Sequence, residues 1–387
     1  MRVLYIVKTN DGAAWAFNQA AWLHSHGVEI VVVLPFETGG YADRYRNAGM
    51  SVVGADLSLP IGRPWLLFER IKIARNIVND VKPDIIHCHF VTNIMMVRLA
   101  LGRDHCIPRF FQVPGPLHLE SLFFRNAEII LSGQCDYWGG GCQLTCSIYK
   151  RSGIASDHIF LAYYGGYGGN SVEEYQPRSG KFRQEFGIAT DVPLVGMVSY
   201  FYKPKYHLLQ TRGLKGHEDF IEAFSLVLKE NPHVRGIIIG GPWLNAHSYV
   251  EKIKKMALEL CGDSIVFAGY RRDMKSIYRE LDIAVHPSLS ENLGGAAESL
   301  AAGVPTIATS VGGFPDIVQN EITGLLVKPK CPIEIAAAIK RMIEDKVSAE
   351  KMANSGQMLV KSLLDIEVTA KNVREIYGKI IASRKGE

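Results

Sequence analysis

HPSLSENLGGAAESLAAGVPTIATSVGGFPDIV, residues 286–318, reads as a strand end, a glycine pair, a short helix and a following strand. Gly294 and Gly295 lie between Glu291 and Glu298. The start of a helix there leaves backbone N–H groups without intrahelical partners, and glycine lets a ligand approach them closely. Anionic oxygens suit such a position. An ionised carboxylate only accepts hydrogen bonds, so a glutamate beside the site suits the vicinal diol of a sugar. Seven residues are about two helical turns, which puts both carboxylates on one side if the helix begins early. The plainer alternative is a capped surface helix with two solvated glutamates.

Outward from that stretch, strands and helices alternate. Toward the amino end come PLVGMVSY (193–200), the helical GHEDFIEAFSLVLKENP (216–232), VRGIIIGG (234–241), the helical 250–262, SIVFAG (264–269), the helical 272–281 and DIAVHPS (282–288). PTIAT (305–309) and GLLVKP (324–329) follow. An earlier series runs VLYIV (3–7), a helix within 11–27, VEIVVVLP (28–35), a helix within 67–83, DIIHCHF (84–90), a helix within 93–102 and PRFFQV (108–113). Short continuous apolar strands between amphipathic helices predict parallel sheets covered on both faces, and two such series predict two doubly wound α/β domains. The expected division is residues 1–185 and 186–367, with an amphipathic helix over 368–387 packing back on the first domain. Ligands of open α/β sheets bind beyond the carboxyl ends of the strands, so the chemistry is expected in those loops.

Composition narrows the class. The 387 residues are 47% hydrophobic and 21% charged with a formal charge of +4, which excludes disordered and fibrous classes and is too mild to indicate nucleic acid. No apolar run reaches the roughly 18–20 residues of a membrane span. MRVLYIVKTN at the start lacks the pattern of a secretory signal, so a cytoplasmic location is expected. Seven cysteines in that setting read as reduced thiols; Cys135, Cys142 and Cys146 are expected in a loop, their spacing too irregular for a metal site.

The 286–318 string resembles the signature of the family-4 retaining glycosyltransferases, group 1, which have the two-domain GT-B fold. Pro287, Ser288, Glu291, Gly294, Glu298, Ala301, Gly303 and Pro305 stand in the family's order, and Gly312, Gly313, Pro315, Asp316, Gly324 and Leu325 continue it. The family has seven residues between the two glutamates and this sequence six, with Glu298 anchored by its spacing to Gly303 and Pro305. The resemblance implies that Glu298 holds the ribose of a nucleotide sugar. It puts Glu291 against the donor sugar and the amides of Asn292, Leu293, Gly294 and Gly295 against sugar and phosphate. Lys215, in TRGLKG, matches the family's diphosphate lysine. The companion arginine is absent from its usual place five residues earlier, and Arg212 is the preferred substitute, with Lys203 and Lys205 as alternates. Gly12 with Ala13 resembles the acceptor-side glycine loop. His118 resembles a donor-contacting histidine, and the YYGG at 163–166 resembles the turn that ends the family's first domain. His87 and His89 read as cleft-lining or structural.

The implied activity is transfer of a hexosyl unit, UDP-linked, with retention of configuration, to a hydroxyl of a glycan or lipid-linked acceptor in cell-surface polysaccharide synthesis. Glu291, His118, Lys215 and Arg212 are its implied catalytic set. No Asp-x-Asp tripeptide occurs, so neither metal nor other cofactor is expected, and Lys and Arg take the electrostatic role. Trp65, Phe68, Phe123 and Phe124 beside Arg63, Arg70, Lys72, Arg75 and Arg125 suit contact with an anionic membrane; a helix with solvated charges is the alternative. A nucleotide-sugar epimerase-type enzyme and a non-catalytic sugar-nucleotide-binding subunit are the rival readings.

Overall fold

The computed structural model describes residues 1–167, 178–204 and 210–385. Contacts divide the chain into two compact units, residues 1–169 with 363–387, and residues 170–362.

The first unit is built on a seven-stranded parallel sheet: β1 (Arg2–Ile6), β2 (Glu29–Leu34), β3 (Ser51–Gly54), β4 (Ile85–Cys88), β5 (Arg109–Val113), β6 (Asp136–Gly140) and β7 (Ile159–Leu161), in spatial order β3-β2-β1-β4-β5-β6-β7. Between them run α1 (Ala14–Ser25), α2 (Tyr41–Asn47), α3 (Leu67–Val81), α4 (Val91–Leu101), α5 (Leu122–Ile130) and α6 (Gln143–Arg151). Strand side chains alternate between two cores. Val3 and Tyr5 join Ala16, Ala20 and Tyr45 of α1 and α2, whereas Leu4 and Ile6 join Ala74, Val78 and Ile94 of α3 and α4. Both faces of the sheet are therefore apolar, which is why these strands show no polar alternation.

The second unit repeats the plan with α7 (Lys181–Glu185), β8 (Leu194–Val198), α8 (His217–Glu230), β9 (Arg235–Ile239), α9 (His247–Cys261), β10 (Ile265–Gly269), α10 (Met274–Glu280), β11 (Ile283–His286), α11 (Gly294–Ala301), β12 (Thr306–Thr309), α12 (Phe314–Ile317), β13 (Leu325–Val327), α13 (Pro332–Glu344) and α14 (Lys346–Leu363). Its six parallel strands run β10-β9-β8-β11-β12-β13. Phe220, Phe224, Ile253 and Ile339 cover one face; Phe182, Ile277 and Tyr278 cover the other. In each unit the order reverses beside one strand, β1 or β8, and a crevice opens at the carboxyl end of that switch point.

Three readings change. The division expected at 185/186 falls instead before α7, because Phe182 and Ile188 bury themselves in the core of the second unit. The chain rejoins the first unit at Leu363 rather than 368; α15 (Ile366–Lys385) then lays Val373, Ile376, Tyr377 and Ile380 into the core shared with α1. The segment around Cys135, Cys142 and Cys146, expected as a loop, holds β6 and α6. Its DYWGG strand has a weak local signature because close packing demands glycine there. A Cβ on Gly139 would stand 2.5 Å from the Phe110 ring, and one on Gly140 2.4 Å from the Cys146 sulfur. Cys135 and Cys142 are buried within this packing.

A buried ion cluster ties β5, β6, α4 and α5 together. Arg98 pairs with Glu128 and, at 2.7 Å, with Asp136; Arg109 pairs with the other Asp136 oxygen at 2.7 Å, and all four side chains are fully buried. The Trp138 indole N–H donates to Glu128 at 2.8 Å.

Candidate functional site

At the switch point of the second unit, the loops after β8 and β11 are bound to each other. The Leu289 amide donates to the Leu214 carbonyl at 2.8 Å. Gly216 adopts φ +71°, and a Cβ there would stand 2.0 Å from the Pro287 carbonyl oxygen, so only glycine allows this approach. Across the loops, the Lys215 ammonium contacts the Glu291 carboxylate. It also lies 5.6 Å from the centre of the Tyr202 ring.

Glu291 precedes α11 instead of lying on it, because the helix begins only at Gly294. Its second carboxylate oxygen accepts from the Asn292 amide at 3.1 Å. The loop before α12 holds this backbone in place: the Gly313 amide donates to the Asn292 carbonyl at 3.1 Å. At Gly312, φ +57°, a Cβ would overlap the Glu291 carbonyl at 1.6 Å. Leu293 is buried, while Asn292, Gly294 and Gly295 are partly exposed. Lower in the same helix, Glu298 accepts from the Tyr278 hydroxyl at 2.9 Å. Burial raises the Glu298 pKa, the Tyr278 bond opposes that rise, and the neighbouring Glu291 charge adds to it.

Beneath the loops, His286 and His217 are buried and held neutral. Burial and then the nearby Lys215 charge lower each to about 3. The His286 Nε2 lies 3.0 Å from Ser299 Oγ, and the His217 ring stacks on Phe201 at 4.1 Å.

Arg212 faces elsewhere. Its guanidinium donates to Asp219 at 2.8 Å and Glu222 at 3.0 Å, both on α8, and Glu218 accepts from the Gly213 amide and the Tyr249 hydroxyl. The structure thus brings Lys215, Glu291 and Asn292–Gly295 together and uses Arg212 to anchor the loop. Lys203 is exposed, and Lys205 lies outside the described residues.

In the first unit, Gly12 (φ +76°) and Ala13 (φ +55°) turn the chain from β1 into α1. The Ala13 carbonyl accepts from Ala16. His118 is half-buried, its Nε2 3.2 Å from the Tyr149 hydroxyl; burial lowers it to about 4. His87 and His89 are fully buried, with Nδ1 atoms against the hydroxyls of Tyr377 and Tyr164. Burial keeps both neutral.

Sequence reasoning missed Tyr278 and Tyr202. Tyr278 sits in an ordinary amphipathic segment and meets Glu298 only through packing of α10 on α11. The pair formed by Tyr202 and Lys215 spans a loop of irregular length, so no fixed spacing signals it. A cavity of about 440 Å³ lined by Arg178, Asp191, Arg279, Asp282, Lys346 and Glu350 lies at the amino ends of β8, β11 and β12, the edge opposite these loops.

Residues 182–358, the span that contains this constellation, match the family model for glycosyl transferases group 1. The second unit belongs to glycosyl transferases group 1. Relatives of the chain include an uncharacterized glycosyltransferase of Methanocaldococcus jannaschii, 28% identical over 51% of this chain and 47% of the relative. A D-inositol 3-phosphate glycosyltransferase of Corynebacterium kroppenstedtii is 28% identical over 46% and 39%. The matches thus span about half the length of these relatives or less. Among solved structures, Anabaena HepE in complex with UDP has a TM-score of 0.76 at 19% identity, covering 97% of this chain and 99% of that one. Sucrose-phosphate synthase of Thermosynechococcus elongatus has a TM-score of 0.75 at 17% identity, covering 99% and 100%. The chain has the GT-B fold of these structures. Among its described residues no helix is long and apolar enough to cross a membrane.

Proposed function

We propose that the protein is a retaining, metal-independent glycosyltransferase that moves a hexosyl unit from a UDP-sugar to a hydroxyl of a glycan or lipid-linked acceptor in cell-surface polysaccharide synthesis. The observation that carries the reading is the convergence of Lys215, the Asn292–Gly295 turn and Glu298 at the switch point of a group 1 domain. Glu298, oriented by Tyr278, accepts from the ribose hydroxyls. The first turn of α11 and Lys215 receive the diphosphate, whose negative charge grows as the bond from the anomeric carbon to phosphate breaks. The acceptor oxygen attacks from the face that the diphosphate leaves, and its proton passes to a leaving phosphate oxygen. No carboxylate nucleophile is assigned, and no metal, because the lysine and the helix terminus supply positive charge.

Acceptor handling belongs to the first unit. The Gly12–Ala13 turn is the acceptor-side loop of this reading, and His118 its donor-contacting group. Exposed Trp65, Phe68, Leu122 and Phe123 support contact with the cytoplasmic face of a membrane that carries the acceptor. A panel of UDP-, GDP- and ADP-sugars, titrated calorimetrically into wild type and Glu298→Ala, tests the donor. One UDP-sugar is expected to bind the wild type selectively and to be lost in the variant. Equal binding by both proteins removes Glu298 from the ribose site, and no binding by the wild type removes the transferase reading.

A further inference from the structure

The Glu291 carboxylate stands where an incoming anion is wanted. One of its oxygens contacts the Lys215 ammonium and the other accepts from the Asn292 amide at 3.1 Å. Its Cδ lies 3.0 Å from where a Gly294 Cβ would be, directly over the first turn of α11. The two side chains are only 16% and 17% exposed, so the contact is not a loose surface pair. Gly312 and Gly313 press on the backbone of Glu291 and Asn292, so the carboxylate is delivered to this place by a fixed loop. A lysine and a backbone amide of the loop that enters α11 are partners that a diphosphate takes. A carboxylate that satisfies both is a substitute ligand supplied by the chain itself.

We infer that Glu291 is an internal anion that the diphosphate must displace, and that it thereby sets nucleotide affinity and speeds release of the nucleotide product. The inference rests on the transferase reading. When the diphosphate enters, Lys215 and the Asn292 amide exchange carboxylate for phosphate oxygens, and Glu291 turns away. When the sugar has been transferred, Glu291 competes for the same two donors and lowers the residence of the nucleoside diphosphate. Uridine, which has no phosphate, is indifferent to the exchange.

The test is calorimetric titration of UDP and of uridine into wild type and Glu291→Gln. The amide is isosteric but has no charge to hold the ammonium or repel phosphate. UDP is expected to bind the variant about tenfold more tightly, with uridine affinity unchanged. Equal UDP affinity in the two proteins, or equal tightening of UDP and uridine, overturns the inference and leaves the transferase reading standing. Failure of both proteins to bind any of UDP, GDP and ADP overturns both. The Asn292 amide resonance gives a second measurement on folded wild type: UDP is expected to shift it. A shift produced by uridine alone, or none with UDP bound, overturns the exchange.

Discussion

The two units share one strand order through six strands, yet their switch points are furnished differently. Beside β1, the end of β4 carries His87 and His89, fully buried, neutral and tied to tyrosines. Beside β8, the loop after β11 carries Glu291 against Lys215, both reachable by solvent. The first unit hides its charges as well: Arg98, Arg109, Glu128 and Asp136 make a closed cluster inside the α/β layer. Topology supplies a crevice in each unit, and at the mouth of the second a lysine and a glutamate stand in contact. Charge that remains within reach of a ligand, rather than the fold, marks the chemistry.

The largest expected effect breaks the first half of that comparison. Arg98→Met leaves Glu128 and Asp136 under-compensated in a dry interior and is expected to destabilise the first unit by about 3–5 kcal/mol. Urea unfolding followed by Trp138 fluorescence measures it, and a loss below about 1 kcal/mol would show that the cluster is not closed to water. Breaking the second half affects function instead. Lys215→Ala is expected to lower kcat/KM about 100-fold while the melting temperature stays within a few degrees, because in the proposed reaction the lysine acts on the leaving diphosphate rather than on packing.

Acid acts on both switch points alike, because burial lowers His217 and His286 to about 3 as it does His87. His87 titrates near 3 in the fold and at about 6.5 when unfolded, so the unfolded chain takes up the proton first as pH falls. Its contribution is complete above the unfolded value and is lost on descent, by about 1 kcal/mol between pH 6.5 and 5.5. His87→Gln should flatten that part of the pH profile in urea unfolding, and an unchanged slope would mean that His87 does not remain neutral. The smallest effect is on Tyr278→Phe. Loss of one hydrogen bond to Glu298 should cost about 1 kcal/mol of stability and weaken UDP binding several-fold, read by calorimetry beside the wild type.

The motif residues show how far the sequence reaches. Glu298, Gly303 and Pro305 are legible because strand, helix and turn follow each other within one short segment and fix their mutual spacing. Lys215 with Gly216 is legible for the same reason, since glycine is required where the chain passes Pro287. Arg212 is not, because its partners lie seven and ten residues later on α8, and a basic residue carries no local mark of which carboxylate it will meet. Glu291 is intermediate: its proximity to the glycine pair is readable, but its contact with Lys215, 76 positions away, is not.

Local pattern by itself determined the α/β class, the parallel sheets and the presence of a helix start near the Gly294–Gly295 pair. Each follows from side-chain period or from the backbone demands of glycine within a few consecutive residues. Only the tertiary structure decided that α7 belongs to the second unit, that Arg98 and Asp136 close a buried cluster, and that Glu291 occupies Lys215. Those depend on which surfaces are removed from water together. Burial and Coulomb energy act between residues 38 and 76 positions apart, where no periodicity in the chain can register them.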